Sequence, residues 1–174
     1  MSIADFFHHR WAVPIIAELH RRSGSRFVPL ANDLGLSRES LRQTLAALID
    51  AGLVMRNPGY GHPLRPEYVL TSRGRCVGPA CVALVDRLRR LDFEDGGLKK
   101  WSMPVLLELV RERRFVELRD ALGVSPRALT LALKELADAG LVERRVHDDY
   151  PPSTSYRATP RARTLTRAAA KLAL

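Results

Sequence analysis

The side chains best suited to chemistry in this sequence are polar and charged residues that follow a serine at helical spacing. Arg38, Arg42 and Gln43 come one, five and six residues after Ser37, so a helix that begins there places them on one outward face. Arginine can bridge O6 and N7 of guanine, glutamine can pair with adenine, and either side chain can hold a backbone phosphate. The pattern predicts contacts with double-stranded DNA. The alternative is a polar helix face that meets only solvent.

A second segment, 88 residues later, repeats this arrangement with different side chains. Ser125 takes the position of Ser37, and Leu131 takes the position of Gln43. The second segment therefore offers an apolar contact, for instance to a thymine methyl group, where the first offers an amide. The predicted DNA-binding residues are Ser37, Arg38, Glu39, Ser40, Arg42 and Gln43 in the first segment and Ser125, Arg127, Thr130 and Lys134 in the second.

Basic residues also occur in a predicted β-hairpin downstream of each segment, where they suit contacts with the DNA backbone or minor groove. The predicted contacts are Arg56, Tyr60, His62 and Arg65 in the first hairpin and Arg144 and Arg145 in the second. The second hairpin carries Asp148 and Asp149 at its tip, and carboxylates repel phosphates. We expect one of two arrangements. Either this tip points away from DNA, or the second hairpin contributes less to DNA binding than the first.

These paired features belong to an internal repeat that covers most of the chain. Residues 27–75 align with residues 115–163 without a gap, and 20 of the 49 positions are identical, against roughly 3 expected for unrelated segments. Residues 10–14 align with residues 100–104 at an offset of 90. A repeat of this length is a whole small domain. Two copies in one chain indicate a homodimer made covalent, with a pseudo-two-fold axis.

The order of predicted elements is the same in both copies. An amphipathic helix that begins near a tryptophan is followed by a short helix, a tight turn and the serine-capped helix. A strand, a loop and a return strand come next, and a closing helix ends each copy at about Gly78 to Leu91 and Arg161 to Leu174. Two helices at a tight turn before a hairpin form a winged helix-turn-helix. The predicted fold class is mainly α with a β component (α+β), as two winged helix-turn-helix domains in tandem that form a pseudo-two-fold single-chain dimer.

The predicted domain limits follow from the repeat. Residues 1–91 form the first domain with its terminal helices, residues 92–99 form a linker, and residues 100–174 form the second domain. Gly96 and Gly97 are the expected flexible point of the linker.

Several motifs carry a resemblance to a known family. They include Trp11 and Trp101, the Leu-Gly-Leu-Ser turn that ends at Ser37, the Asp-Ala-Gly-Leu-Val segment from Asp50, and Tyr68-Val-Leu-Thr-Ser-Arg-Gly74. The sequence resembles HxlR-type winged-helix regulators, which are related to MarR-like regulators. The resemblance implies DNA-binding transcriptional regulation, normally by a homodimer whose terminal helices pair.

This chain departs from the family pattern in three ways. It is a tandem fusion, it lacks the usual N-terminal cysteine, and Thr159-Pro160-Arg161-Ala162 stands where a glycine is expected.

The predicted function is that of a sequence-specific transcriptional regulator that binds an asymmetric operator as a monomeric pseudodimer. No set of residues suited to catalysis stands out, and no cofactor is expected. A small aromatic effector is a further expected partner, in a pocket between the copies lined by Phe6, Phe7, Trp11, Leu84, Leu88, Trp101 and Leu165. The alternative is a small-molecule-binding or sequestering protein, of the self-resistance type, that keeps the fold but has lost operator recognition.

Composition agrees with a DNA-binding protein. The net charge of +9 favours polyanionic partners. No apolar stretch is long enough to span a membrane and the start lacks the pattern of a signal peptide, so a cytoplasmic location is expected. Cys76 and Cys81 are predicted to be small buried thiols, and His8 and His9 are predicted to be surface or interface residues rather than metal ligands.

Overall fold

The computed structural model of this chain describes residues 3–57, 66–148, 150 and 153–172, and contains two copies of one fold. The first copy contains α1 (Ile3–His8), α2 (Ala12–Arg22), β1 (Ser25–Arg26), α3 (Phe27–Leu34), α4 (Arg38–Asp50), β2 (Val54–Asn57), β3 (Glu67–Leu70) and α5 (Ser72–Arg90). The second contains α6 (Glu94–Gly97), α7 (Ser102–Glu108), β4 (Arg113–Arg114), α8 (Phe115–Leu122), α9 (Pro126–Asp138), β5 (Val142–His147), β6 (Ser153–Ala158), a 3₁₀ turn (Pro160–Ala162) and α10 (Arg163–Ala170).

The turn between α3 and α4 forms for local reasons that the sequence already contains. Gly35 ends α3 in the left-handed conformation, with φ 62°, which glycine adopts at little cost. Ser37 then caps α4, because its hydroxyl oxygen accepts a hydrogen bond from the backbone N–H of Ser40. Leu41, Leu45 and Leu48 are buried on the inner side of α4, where each leucine contributes about 1.5–3 kcal/mol by leaving water.

Each copy also contains a three-stranded antiparallel sheet, in the order β1-β3-β2 in the first copy and β4-β6-β5 in the second. The hairpins were predicted from the sequence, but β1 and β4 were not. Each of these strands has only two residues, which is too short for an alternating pattern to show.

The two closing helices differ in how they begin. Helix α5 begins at Ser72, six residues before the predicted start, with Thr71 as its N-cap. A Cβ atom on Gly74 would lie 2.0 Å from the backbone oxygen of Leu53, so only glycine allows α5 to follow this path. Ala162 occupies the equivalent position in the second copy, and there the chain first makes a 3₁₀ turn before α10 begins at Arg163.

The segment between the copies is folded, which differs from the flexible linker that its glycines predict. Residues 94–97 form α6, at the position that α1 holds in the first copy. A Cβ atom on Gly96 would lie 2.2 Å from the ring of Phe93, and one on Gly97 would lie 2.2 Å from a methyl group of Leu88. Both glycines are therefore explained by close packing rather than by flexibility.

The copies pack against each other through their helices. Helix α5 contacts α10, helix α1 contacts α7, and Leu84, Leu88 and Leu165 lie in one buried apolar cluster that extends through both copies. An ion pair between the side chains of Arg10 and Asp95 adds a polar link between the start of the chain and α6.

The two cysteines have different environments. Cys81 is buried in α5, and burial raises the pKa of its thiol. Cys76 is exposed on the same helix, so the prediction of a buried thiol was wrong for this residue. Residues five positions apart on a helix do not lie on the same face, and Cys76 lies outside the face of α5 that packs against the core.

Candidate nucleic-acid interface

The outward face of α4 carries the side chains that the sequence predicts to read DNA. Arg38, Glu39, Arg42 and Gln43 are exposed, whereas the leucines of the same helix are buried. Ser37 and Ser40 lie at the start of this face, where the Ser37 hydroxyl donates to the Ser40 hydroxyl at 2.9 Å. The face is therefore free to meet a partner along the first two turns of the helix.

Glu39 holds the two base-reading candidates of α4 in one cluster. Its carboxylate accepts hydrogen bonds from Nε and Nη2 of Arg42 at 3.0 and 2.7 Å, and from Nε2 of Gln43 at 2.5 Å. The hydrogen bond with Arg42 is the main cause of the lowered pKa of Glu39, and it raises the pKa of Arg42 in turn. Arg42 thus already has an ion-pair partner. Residues three and four positions apart on a helix can make such contacts, but the cluster was not predicted from the sequence.

The equivalent face of α9 is less polar but carries free positive charge. Arg127 and Lys134 are exposed and form no ion pair with any residue that the structure describes. The Thr130 hydroxyl donates back to the carbonyl of Pro126 at 2.9 Å, while Ser125 caps the helix. Leu131 is 54% exposed, so its side chain is available for an apolar contact and is not a core residue.

The bases of the two hairpins place arginines at matching positions. Arg56 lies opposite Tyr68, and Arg144 lies opposite Tyr156 at the same register of the second sheet. Arg145 differs, because its guanidinium lies 3.5 Å from carboxylate oxygens of both Glu112 and Glu143. Among the hairpin residues predicted to contact DNA, Tyr60, His62 and Arg65 lie outside the described residues.

A polar cluster beside β4 in the second copy was missed from the sequence. The Ser155 hydroxyl donates a hydrogen bond to the Glu112 carboxylate, and Nε2 of His147 lies 2.7 Å from the same hydroxyl oxygen. The bond from Ser155 is the main cause of the lowered pKa of Glu112, with Arg145 and His147 adding to it. The Ser155 hydroxyl donates to the Glu112 carboxylate and not to His147, and His147 contacts both of these residues through the same nitrogen, Nε2. This geometry is not that of a serine nucleophile with a histidine base. The cluster ties the second hairpin to the turn before β4.

The residues predicted to line an effector pocket pack as core or at its edge. Phe6, Phe7 and the three leucines of that set are at most 2% exposed, and the rings of Trp11 and Trp101 are partly buried against the same cluster. Each indole also lies below a cation, with Arg10 4.9 Å and Lys100 5.0 Å from the ring centroids. Four cavities among the described residues are lined by other side chains. An effector site between the copies stays a prediction.

The repeat, the capped helices and the hairpins correspond to a known domain in both copies. The HxlR-like helix-turn-helix family matches residues 6–92 and again residues 98–173. The chain belongs to the HxlR-like helix-turn-helix family. The family resemblance predicted from the motifs and the fold of two winged helix-turn-helix units are thereby confirmed.

Several proteins described as uncharacterized HTH-type transcriptional regulators are similar to this HxlR-like chain. One from Synechocystis sp. is 43% identical over 68 residues, which is 38% of this chain and 50% of that protein. One from Mycobacterium bovis is 38% identical over 76 residues (44% of this chain, 48% of the relative), and one from Halalkalibacterium halodurans is 36% identical over 69 residues (38% and 61%). The chain thus spans about half the length of the first two of these relatives. The names of these relatives describe them as transcriptional regulators.

No helix within the described ranges is long and apolar enough to cross a membrane.

Proposed function

We propose that this HxlR-like chain is a transcriptional regulator that binds double-stranded operator DNA as a single-chain pseudodimer. The observation that carries the proposal is the pair of exposed, serine-capped helices α4 and α9, which hold equivalent positions in the two copies and present different side chains. Recognition helices of this kind insert their first turns into the major groove, and a dimer places two of them on successive half-sites.

The packing between the copies supports a pseudodimer within one chain. Homodimeric winged-helix regulators bring two identical domains together, and here α5 and α10 provide the corresponding contact between two domains of one chain. An internal pseudodimer already presents two recognition helices, so it needs no second chain to occupy one operator.

The two reading helices are expected to do different work. Helix α4 offers Arg38, Arg42 and Gln43, which can form hydrogen bonds to base edges. Helix α9 offers Arg127 and Lys134 for phosphates and Leu131 for a thymine methyl group. The proposed operator is therefore asymmetric, with one strongly specified half and one permissive half.

A test of the assembly measures how many chains occupy one operator. We expect the chain to sediment as a monomer in dilute solution and to bind one selected duplex per chain. The logarithm of its affinity should fall steeply with the logarithm of the salt concentration, by about 0.9 for each phosphate contacted. An obligate dimer that binds one duplex per two chains would contradict the pseudodimer.

The alternative proposal is a small-molecule-binding or sequestering protein that has lost operator recognition. It is favoured by Leu131 on the reading face of α9 and by the exposed Asp148 at the end of β5. The same titration separates the two proposals, because a sequestering protein should show weak DNA binding that is equal for selected and random duplexes.

Glu39→Gln tests the role of the cluster on α4. The change removes a carboxylate from the DNA-facing surface and releases Arg42 as a free cation. We expect affinity for random duplexes to rise about threefold to tenfold, with a salt dependence steeper by about one phosphate contact. The preference for the selected operator over random DNA should fall by about tenfold, since Arg42 and Gln43 lose the partner that orients them.

Asp50→Asn is the matched control for this experiment. Asp50 is exposed at the far end of the same helix, so the control changes the net charge equally without touching the cluster. If both variants change affinity and preference to the same extent, the effect is one of overall charge and Glu39 has no role in orienting its neighbours.

A further inference from the structure

A cavity in the second copy has no counterpart of the same chemistry in the first. It measures about 330 Å³ and lies where the end of α7, strand β6 and helix α10 meet. Three arginines line it, namely Arg157, Arg163 and Arg167, together with an apolar wall that includes Leu107 and Val110. It is separate from the reading faces of α4 and α9 and from the pocket expected between the copies.

The three arginines bring positive charge that nothing else described in the structure neutralises. All three are exposed, and none forms an ion pair or a hydrogen bond with another described side chain. Guanidinium groups that converge on one cavity without a carboxylate are suited to an anion, which arginine can bind through two parallel hydrogen bonds.

The corresponding region of the first copy lacks this charge. Val69 and Pro79 stand where the second copy has Arg157 and Arg167. The remaining arginine, Arg75, donates to the carbonyl of Leu70 at 2.9 Å and to the hydroxyl of Ser72 at 3.1 Å. The equivalent cavity of the first copy, of about 270 Å³, has Arg75 as the one arginine among its lining residues. A larger cavity nearby, of about 410 Å³, contains Asp86 as well as arginines.

The different start of α10 removes one of the two hydrogen-bond partners that Arg75 has in the first copy. Arg163 is the equivalent of Arg75, but Pro160 replaces Ser72 and so offers no hydroxyl to accept its hydrogen bond. The 3₁₀ turn at residues 160–162 precedes α10, and Arg163 and Arg167 then lie one turn apart along that helix. Both can therefore point into the same cavity.

The opposite wall of the cavity is apolar and accessible. Val110 is 64% exposed, and Leu107 is partly buried beside it. His20 holds the position of Val110 in the first copy, where its ring fills the space above Gly78 so closely that a Cβ atom there would lie 2.3 Å from Nδ1. The second copy has the smaller valine at this position, and Thr166, which stands in place of Gly78, lines the cavity instead.

We propose that this cavity is a binding site for a small amphipathic carboxylate. The carboxylate lies between the guanidinium groups of Arg157, Arg163 and Arg167, and the apolar body of the ligand packs against Leu107 and Val110. The volume is in the range of small-ligand sites, and an apolar wall with a few convergent polar groups is their usual composition.

The test uses the full chain and 2-naphthoate as the probe, with naphthalene-2-methanol as its uncharged analogue and inorganic phosphate as an anion without an apolar body. Isothermal titration calorimetry should show one naphthoate bound per chain, and at least about tenfold weaker binding of the alcohol and of phosphate. Arg157→Val and Arg167→Gln should each weaken naphthoate binding by about tenfold, which is typical for the loss of a charged hydrogen bond. Val110→His, which introduces the residue of the first copy, should weaken it as well by filling the cavity.

Arg161→Gln is the matched control, because Arg161 is exposed on the adjacent turn and does not line the cavity. It should leave naphthoate binding within about twofold, and thermal unfolding should show that every variant folds. Equal binding of the alcohol, or of phosphate, would overturn the proposal. So would a loss of DNA affinity in Arg157→Val and Arg167→Gln as large as the loss of naphthoate binding, since the arginines would then serve DNA phosphates.

Discussion

Gly74→Ala is expected to lower the free energy of unfolding by about 2–3 kcal/mol, the upper part of the range of about 1–3 kcal/mol that is typical when a well-packed site must accept an extra carbon. The added Cβ would lie 2.0 Å from the backbone oxygen of Leu53 and 3.3 Å from Cβ of Leu70. A backbone atom cannot move aside as the end of a flexible side chain can. The start of α5 must shift instead, which disturbs the N-cap made by Thr71.

The equivalent position in the second copy provides the control. Ala162→Gly adds no atom, and it should cost about 1–2 kcal/mol through backbone entropy and the loss of one buried methyl group. Urea denaturation followed by tryptophan fluorescence measures both variants. Equal and small losses would show that the beginning of α5 adapts readily, and that glycine is not the reason why the two closing helices begin differently.

The second large effect concerns the symmetry of the operator. We expect the natural chain to select an asymmetric consensus, because α4 and α9 present different side chains to the two half-sites. Replacing three exposed residues of α9 with their counterparts in α4, as Arg127→Glu with Thr130→Arg and Leu131→Gln, should make the second half of the selected consensus more like the first. Each newly specified base pair should be preferred by about 1–3 kcal/mol over its alternatives.

Selection from random duplexes by the natural chain and by the triple variant measures this effect. Lys134→Ala is the control, since loss of a phosphate contact should weaken binding to all sequences alike and leave the consensus unchanged. A palindromic consensus for the natural chain, equally constrained in both halves, would contradict the division of work between the helices.

Much of each domain could be predicted because its signals are local. Ser37 and Ser125 cap their helices through a bond to a backbone N–H three residues later, and Gly35 ends α3 through its own φ angle. The buried leucines of α4 and α9 follow the helical period. These features depend on residues within one or two turns, so the order of residues alone specifies them. The internal repeat predicts the same order of helices and strands a second time, from different residues.

The tertiary structure decided the features that depend on contacts between distant residues. Position 74 needs glycine because the backbone oxygen of Leu53 lies against it, and Gly97 packs closely against a methyl group of Leu88. The cavity of the second copy combines Val110, Arg157 and Arg167 from three separate segments of the chain. The polar cluster joins Glu112 to Ser155 across 43 positions. The residues that make such contacts are far apart in the sequence and show no regular spacing. Bringing them together costs conformational entropy, which the packing of the whole fold offsets, so no local pattern specifies these contacts.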